Sequence, residues 1–215
     1  MPSQGGKQVA SEREVCLVTG VGPGTGSALA RRFARGGYRV AMLARSAERL
    51  DALKRELSES HAYPTDVADP DALRATVERV SAELGAPAVV VHNAVGGTFG
   101  SFDTIDPADL ERNFRVNVMA FLHLARAVAP AMVEKGRGVI IATGNTSAHR
   151  GTPRFAGFAP TKAAQRILAQ SIARGRCARL ARAGERHGSG TDTAEAPMWR
   201  WLPCVSGMTQ PRVSD

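Results

Sequence analysis

The feature of this sequence that most restricts its fold is a glycine-rich loop between an apolar run and an amphipathic one. Residues 15–20, VCLVTG, predict a buried β-strand, and residues 25–36 carry apolar side chains at helical spacing. Between them, Gly20, Gly24 and Gly26 would allow a tight turn, close approach of the backbone to a pyrophosphate and close packing of the helix. Peptide N–H groups at the helix N-terminus could then bind the phosphates. The loop predicts a dinucleotide-binding unit, although a tight turn without a ligand would need similar glycines.

Beyond this unit, short β-branched runs alternate with longer amphipathic ones as far as residue 174. This alternation is typical of parallel strands joined by crossover helices. Asp-Pro pairs supply two helix starts, since Asp caps a helix and Pro suits its first position. Further strands are predicted at 39–44, 62–67, 88–94 and 138–144, and helices at 47–57, from Pro70, at 108–135 and at 159–174. The pattern predicts an α/β fold, a Rossmann-like doubly wound parallel sheet in a three-layer αβα arrangement.

The two ends of the chain differ from this body, which we interpret as an NAD(P)-binding Rossmann domain at residues 15–174. Residues 1–14 have the features of neither a signal peptide nor a transit peptide and are predicted to be a flexible tail. Residues 175–215 contain no Ile, Phe or Tyr, so no run there suits a buried parallel strand. We predict an irregular or disordered tail, with residues 199–202, WRWL, docking on the body. No further strand of the sheet is predicted after residue 174.

The charge and the cysteines narrow the choice of partners. The chain of 215 residues has a formal net charge of +8, but acidic residues lie between the basic ones along its helices. This favours solvated helix faces over a nucleic-acid surface. No window approaches eighteen uninterrupted apolar residues, and Cys16, Cys177 and Cys204 lack metal-ligand spacing. We expect a cytoplasmic protein with reduced thiols, no metal site and no nucleic-acid or membrane partner.

The residue after the second strand bears on the choice of cofactor. About twenty residues after the glycine loop, an NAD-binding unit would place Asp or Glu against the ribose 2′-hydroxyl. This chain has Arg45 there, and a guanidinium pairs with a 2′-phosphate instead. The sequence therefore favours NADP(H) over NAD(H). An exposed arginine before a helix is also common, and Pro23 leaves the loop without a second cation.

Five motifs resemble, in order and spacing, those of the short-chain dehydrogenase/reductase family. They are the glycine loop, the Asp-Val after the third strand, the NNAG motif after the fourth, a helix asparagine and the lysine of YxxxK. In this chain they stand as TGVGPGTG (19–26), Asp66-Val67, HNAV (92–95, matched at Asn93 and Ala94), Asn117 and Lys162. Each of these residues alone could be a cap, a turn or a surface side chain. Together they indicate the family.

The resemblance implies a nicotinamide cofactor and a role for each matched residue. The Asp66 carboxylate would hold the adenine amino group, Asn117 a water of the proton relay, and Lys162 the ribose hydroxyls of the nicotinamide half. Family members usually pair through two long helices, which implies a homodimer. The predicted cofactor-binding residues are Thr19, Gly20, Gly24, Thr25, Gly26, Arg45, Asp66, Val67, Asn93, Ala94 and Lys162.

Two catalytic groups of the family are missing. In the family a tyrosine hydroxyl protonates the substrate carbonyl and a serine orients it, but these positions are Phe158 and Asn145 here. A general acid contributes about 10²–10⁴ in rate, so its loss affects chemistry more than binding. The chain resembles a subset of the family that has phenylalanine at this position. The candidate catalytic residues are Asn117, Asn145 and Lys162, and His149 could supply a proton unless it is an unpartnered loop histidine.

Two functions remain open at this point. One is an NADP(H)-dependent oxidoreductase that transfers hydride between the cofactor and an unknown small carbonyl or alcohol, with impaired or altered proton transfer. The alternative is a nucleotide-binding homologue with little or no turnover, which acts as a partner or sensor or is the inactive product of a truncated or frameshifted gene. Family members continue with further strands and a substrate lid, so the resemblance implies that the C-terminal strands of the sheet are missing here. Residues 175–215 instead resemble the out-of-frame translation of a GC-rich gene.

Overall fold

A parallel five-stranded sheet with the strand order β3-β2-β1-β4-β5 forms the centre of the molecule. The structure, a computed structural model, describes residues 13–185, and their side chains as far as residue 175. The strands are β1 (Val15–Thr19), β2 (Arg39–Ala44), β3 (Ser60–Pro64), β4 (Val89–His92) and β5 (Val139–Ala142). The helices are α1 (Thr25–Arg35), α2 (Ala47–Glu56), α3 (Pro70–Leu84), α4 (Pro107–Phe114), α5 (Ala120–Glu134) and α6 (Ala159–Glu185). The predicted Rossmann-like αβα fold is confirmed.

The apolar runs form the central strands because these strands are covered on both faces. Every residue of β1 is buried, and neighbouring side chains point to opposite faces of the sheet. Leu17 packs in a core that includes Phe121 and Leu124 of α5, whereas Val18 packs in a second core with Ala30 of α1 and Leu50 of α2. The two cores fix the helices on either side of the sheet.

The strand order creates a crevice beside β1. The chain runs from β1 outward to β2 and β3, then crosses to β4 and β5 on the other side. Thr19 at the end of β1 is in register with Leu43 of β2 and His92 of β4. In doubly wound sheets, ligands bind outside the carboxyl ends of strands at such a reversal. This edge therefore contains the candidate site.

Side-chain caps begin three helices. The Ser46 hydroxyl accepts from the N–H of Arg49 at 3.3 Å, and Asp69 Oδ1 accepts from Asp71 and Ala72 at 2.9 and 3.0 Å. Asp106 caps α4 in the same way, and prolines occupy the first positions of α3 and α4. The predicted helix starts are confirmed.

Several predicted boundaries are wrong by a few residues. β3 covers residues 60–64 and not 62–67, because the chain turns after Pro64 and Asp66 Oδ1 accepts the N–H of Ala68 within that turn. The first tail is shorter than predicted: the Glu14 carbonyl already accepts the N–H of Arg39 at 2.9 Å. The predicted helix 108–135 is interrupted at Arg115–Met119 by a wider π-type turn.

The predicted irregular segment from residue 175 is also wrong at its start, since α6 continues to Glu185. Residues 175–185 read GRCARLARAGE, and Ala, Arg, Leu and Glu favour helix while no proline interrupts them. A segment that cannot form a buried strand can still form a helix. The predicted docking of WRWL concerns residues that lie outside the described part of the chain.

The apolar stretch Pro107–Glu134 is long and hydrophobic enough to cross a membrane by length and composition alone. Its apolar residues include Phe121, Leu124, Val128 and Met132, all of which are buried against the sheet. Core packing accounts for these four apolar residues of the stretch.

Candidate functional site

Two glycines of the loop are required by packing. Gly20 has a φ of +69°, and a Cβ there would lie 2.4 Å from the Cα of Ala94. A Cβ on Gly26 would lie 2.3 Å from the carbonyl oxygen of Gly20. A Cβ on Gly24, by contrast, would meet no described atom within 4 Å. The loop is therefore tight where it packs on β4 and open at the N-terminus of α1.

The open side exposes the start of α1. Gly24 is the N-cap and has no side chain to accept from the first-turn N–H groups, and Thr25 beside it is exposed. The N–H of Ser27 already donates to the Gly22 carbonyl at 3.0 Å, which leaves those of Thr25 and Gly26 for an external acceptor, and anions are favoured there. This arrangement is suited to a phosphate group.

The carboxyl ends of β1 and β4 are joined by a hydrogen-bond network. Asn93 Nδ2 donates to the carbonyl of Gly20 at 2.9 Å. The Thr19 hydroxyl accepts the N–H groups of Asn93 and Ala94 at 3.2 and 3.3 Å. Four predicted cofactor-binding residues thus meet at one place and hold the glycine loop against β4.

His92 completes this network, a role that its sequence motif did not predict. Its Nδ1 lies 3.1 Å from the Thr19 hydroxyl, and its Nε2 lies 3.1 Å from the carbonyl oxygen of Val116. Burial, followed by the positive charge of Lys162, lowers the pKa of His92 to about 4, while the Val116 carbonyl opposes this shift. The imidazole is therefore neutral at pH 7, with Nε2–H donating to Val116 and Nδ1 accepting from Thr19. The position of His92 at the end of the apolar strand β4 is the sequence feature that could have predicted its burial.

The predicted adenine side lies at the ends of β2 and β3. Arg45 directly follows β2 and is exposed. Asp66 is exposed in the turn after β3, and Val67 beside it is buried. Because β2 and β3 are neighbours in the sheet, the residues that follow them lie on one edge with the glycine loop.

Lys162 is buried at the start of α6, with 4% of its surface exposed. Its Nζ donates to the carbonyl of Thr143, just after β5, at 3.0 Å and to Oε1 of Gln165 at 2.8 Å. The sequence left open whether Lys162 is a surface residue of the helix, and the structure shows that it is buried.

Phe158, at the predicted position of the family tyrosine, belongs to an aromatic cluster. Its ring centroid lies 5.4 Å from that of Phe99 and 6.3 Å from that of Phe155. Phe158 is buried, whereas 62% of the surface of Phe99 is exposed. Tyr63, one of the two tyrosines of the chain, donates its hydroxyl to Glu83 at 2.8 Å beside β3. It lies in the other half of the sheet and does not replace the missing hydroxyl.

Asn117 lies within the π-type turn and is fully buried. Its Oδ1 accepts the N–H of Gly96 at 2.9 Å, and its Nδ2 donates to the Gly96 carbonyl at 2.8 Å and to the Thr161 hydroxyl at 2.7 Å. The side chain thus ties the loop after β4 to α6. The water-holding role implied by the resemblance stays a prediction.

Asn145 caps a short 3₁₀ turn, Thr146–Ala148, after β5. Its Oδ1 accepts from the N–H and the hydroxyl of Ser147 at 2.9 and 2.8 Å. Asn145 and His149 are both exposed. A carbonyl group near this loop could therefore receive a hydrogen bond from the Asn145 Nδ2 but not from its Oδ1.

The sequence and the fold are similar to those of known dehydrogenases. The family model described as short chain dehydrogenase matches residues 14–178. The chain is 30% identical over 161 residues to a 7alpha-hydroxysteroid dehydrogenase of Escherichia coli K12, and 33% identical over 158 residues to a D-erythrulose reductase of Gallus gallus. Each alignment covers 73% of this chain and 63% of the relative, so the chain spans less than two thirds of these proteins.

Solved structures of similar fold include proteins with bound cofactors. A metagenomic short-chain oxidoreductase in complex with NADP is 34% identical, with a TM-score of 0.73 over 75% of this chain and 76% of that protein. A NAD+-bound xylitol dehydrogenase is 28% identical, with a TM-score of 0.70 over 76% of this chain and 66% of that protein. With the family model and these relatives in agreement, the chain belongs to the short-chain dehydrogenase/reductase family.

Proposed function

We propose that this chain binds a nicotinamide adenine dinucleotide, NADP(H) in preference to NAD(H), as the cofactor of an oxidoreductase acting on a small carbonyl or alcohol. The observation that carries the proposal is the glycine loop, which is tightly packed at Gly20 and Gly26 but open at Gly24 beside uncapped N–H groups of α1. Relatives of this fold bind NADP or NAD+, so the family accommodates either cofactor.

Each group of predicted residues would bind a different part of the cofactor. The N-terminus of α1, with Gly24 and Thr25, would hold the pyrophosphate through backbone N–H groups. Asp66 and the Val67 backbone would bind the adenine, and Lys162 would bind the ribose of the nicotinamide half. The glycine loop would be held against the end of β4 by the hydrogen bonds among Thr19, Gly20, Asn93 and Ala94.

The preference for NADP(H) rests on Arg45. Its side chain is exposed after β2, at the position from which a family acidic residue would bind a ribose 2′-hydroxyl. A guanidinium would instead form charge-assisted hydrogen bonds with a 2′-phosphate.

The proton step is the part of the chemistry that this chain would perform differently. When bound, the nicotinamide would donate or accept a hydride. Phe158 has no hydroxyl to donate, so the proton would have to come from elsewhere. Asn145 Nδ2 could orient a substrate carbonyl, and the exposed His149 side chain could supply the proton. We expect turnover to be slow for this reason.

Binding without turnover is a second candidate, favoured by one observation. Phe158 is buried among aromatic rings where the family has its acid. If no proton donor replaces the hydroxyl, the chain would bind the nucleotide as a sensor, a partner or an inactive homologue.

Titration of NADPH and NADH by fluorescence, followed by a panel of carbonyl substrates, separates these functions. We expect saturable binding of NADPH by the wild type and weaker binding by Lys162→Met. Exposed Lys54→Met on α2 is the matched control and should bind as the wild type does. Slow oxidation of NADPH with any carbonyl supports the enzyme, and binding without oxidation supports the second candidate. No binding of either nucleotide contradicts both.

A further inference from the structure

Gln165 lies one turn after Lys162 on α6 and contacts its ammonium group directly. The two side chains are 2% and 4% exposed, and Lys162 Nζ donates to Gln165 Oε1 at 2.8 Å. The same Nζ donates to the carbonyl of Thr143 at 3.0 Å. The ammonium group is thus held between the end of β5 and the second turn of α6.

The orientation of the Gln165 amide follows from this contact. A lysine ammonium can only donate hydrogen bonds, so the atom that faces it must be the amide oxygen and not the nitrogen. The Nε2 group then points elsewhere, and it has no hydrogen-bond partner among the described residues. A buried donor without a partner lowers the stability of the fold. The buried Nε2 group of Gln165 therefore lowers the stability of the fold, whereas the hydrogen bond between Gln165 Oε1 and Lys162 raises it.

We infer that Gln165 is a positioning residue that fixes the Lys162 ammonium for the ribose of the nicotinamide half. Phe158 has no hydroxyl that could interact with the lysine, and the amide oxygen supplies a neutral acceptor. Because Gln165 and Thr143 are both part of the protein framework, they hold the ammonium group in place before a ligand arrives. This inference rests on the proposed binding of a nicotinamide cofactor.

The test compares a whole dinucleotide with its adenine half. Gln165→Met keeps the shape of the side chain but removes the acceptor. We expect its affinity for NADPH to fall by about tenfold, since the bond involves a charged group. Its affinity for adenosine 2′,5′-bisphosphate, which lacks the nicotinamide half, should not change. Isothermal titration calorimetry measures both, with NADH and ADP replacing this pair if NADH binds more tightly.

Thermal unfolding distinguishes positioning from a general structural role. Gln165→Met removes the unpartnered Nε2 together with the acceptor for Lys162, and because these two changes affect stability in opposite directions its melting temperature should stay close to that of the wild type while NADPH affinity falls. Gln165→Glu, which retains an acceptor for the ammonium, should restore most of the affinity. Exposed Gln170→Met on the same helix is the control and should change neither quantity.

The outcomes separate this inference from the proposed function. If the wild type binds neither NADPH nor the adenine half, nor NADH and ADP, the proposed function is wrong. If the wild type binds NADPH and Gln165→Met binds it equally well, or loses affinity for both ligands to the same extent, the positioning role of Gln165 is overturned.

Discussion

The two halves of the candidate site differ in how closely they follow the family. On the side of the glycine loop, Gly20 and Gly26 pack against backbone atoms, and Asn93 holds the loop by a hydrogen bond. On the side of β5, Phe158 and Asn145 stand where the sequence resemblance predicts the tyrosine and serine of the family. β5 is also an edge strand among the described residues, and 42% of the surface of Val139 is exposed there. We propose that nucleotide binding and proton chemistry depend on different residues of this fold, with Lys162 as the residue that the two sets share.

The largest expected effect is on turnover, when the tyrosine and serine hydroxyls of the family are introduced at Phe158 and Asn145. The double variant Phe158→Tyr/Asn145→Ser regains a general acid and a carbonyl-orienting hydroxyl. We expect turnover with a reactive carbonyl to rise by about 10² to 10⁴, with NADPH affinity unchanged. Steady-state oxidation of NADPH and calorimetric titration measure the two quantities.

The neighbouring ring provides the control for that change. Phe155→Tyr/Asn145→Ser adds a hydroxyl to the same aromatic cluster at a different position and should not raise turnover. If the Phe158→Tyr/Asn145→Ser variant does not become more active, the chain lacks more than these two groups.

A substitution on the glycine-loop side should instead affect stability and binding together. Gly20→Ala places a Cβ 2.4 Å from the Ala94 backbone at a φ of +69°. Strain and overpacking should lower the free energy of unfolding by about 3 kcal/mol. Gly22→Ala is the matched control, because its Cβ would meet no described atom within 4 Å. Equal urea denaturation curves for the two variants would show that the loop is not tightly packed.

The buried histidine makes the junction between the halves sensitive to acid. The pKa of His92 is lowered from 6.5 to about 4 in the folded state, so the unfolded chain binds a proton at a higher pH than the folded one does. Stability should therefore decrease as the pH falls from 6.5 to about 4. The loss attributable to this group is at most about 3 kcal/mol.

The variant His92→Asn should remove this part of the pH dependence. Urea denaturation at several pH values measures it as the difference between wild type and variant. Exposed His149→Asn serves as the control for loss of a histidine. A difference that is constant between pH 7 and pH 4 would mean that His92 does not titrate as proposed.

The smallest expected effect is on the preference for NADPH over NADH, which is tested by a substitution at Arg45. Arg45→Gln removes the proposed partner of the 2′-phosphate, so affinity for NADPH should fall by about tenfold while affinity for NADH stays the same. Arg49→Gln on the exposed face of α2 is the control. Equal losses for both cofactors would place Arg45 outside the 2′-phosphate site.

The features predicted well from the sequence are those with local signals. The β1-loop-α1 unit, the aspartate caps and the alternation of parallel strands with helices follow from apolar runs and turn residues. The end of α6 was predicted wrongly because the absence of strand-forming residues was interpreted as irregular structure.

The features that the sequence did not predict depend on contacts between distant residues. Asn117 binds Gly96 and Thr161, and His92 binds Thr19 and Val116, through backbone and side-chain atoms that only the fold brings together. Gln165 looks like an ordinary helix residue until its oxygen is found beside Lys162. Local periodicity contains no information about such pairs.

The central claim is that this chain retains a nicotinamide nucleotide site although the family acid is absent. Calorimetric titration of the wild type with NADPH tests it most directly. We predict saturable binding of one nucleotide per chain with a dissociation constant between about 1 μM and 1 mM. Absence of binding by folded protein, for NADPH and for NADH alike, would contradict the claim.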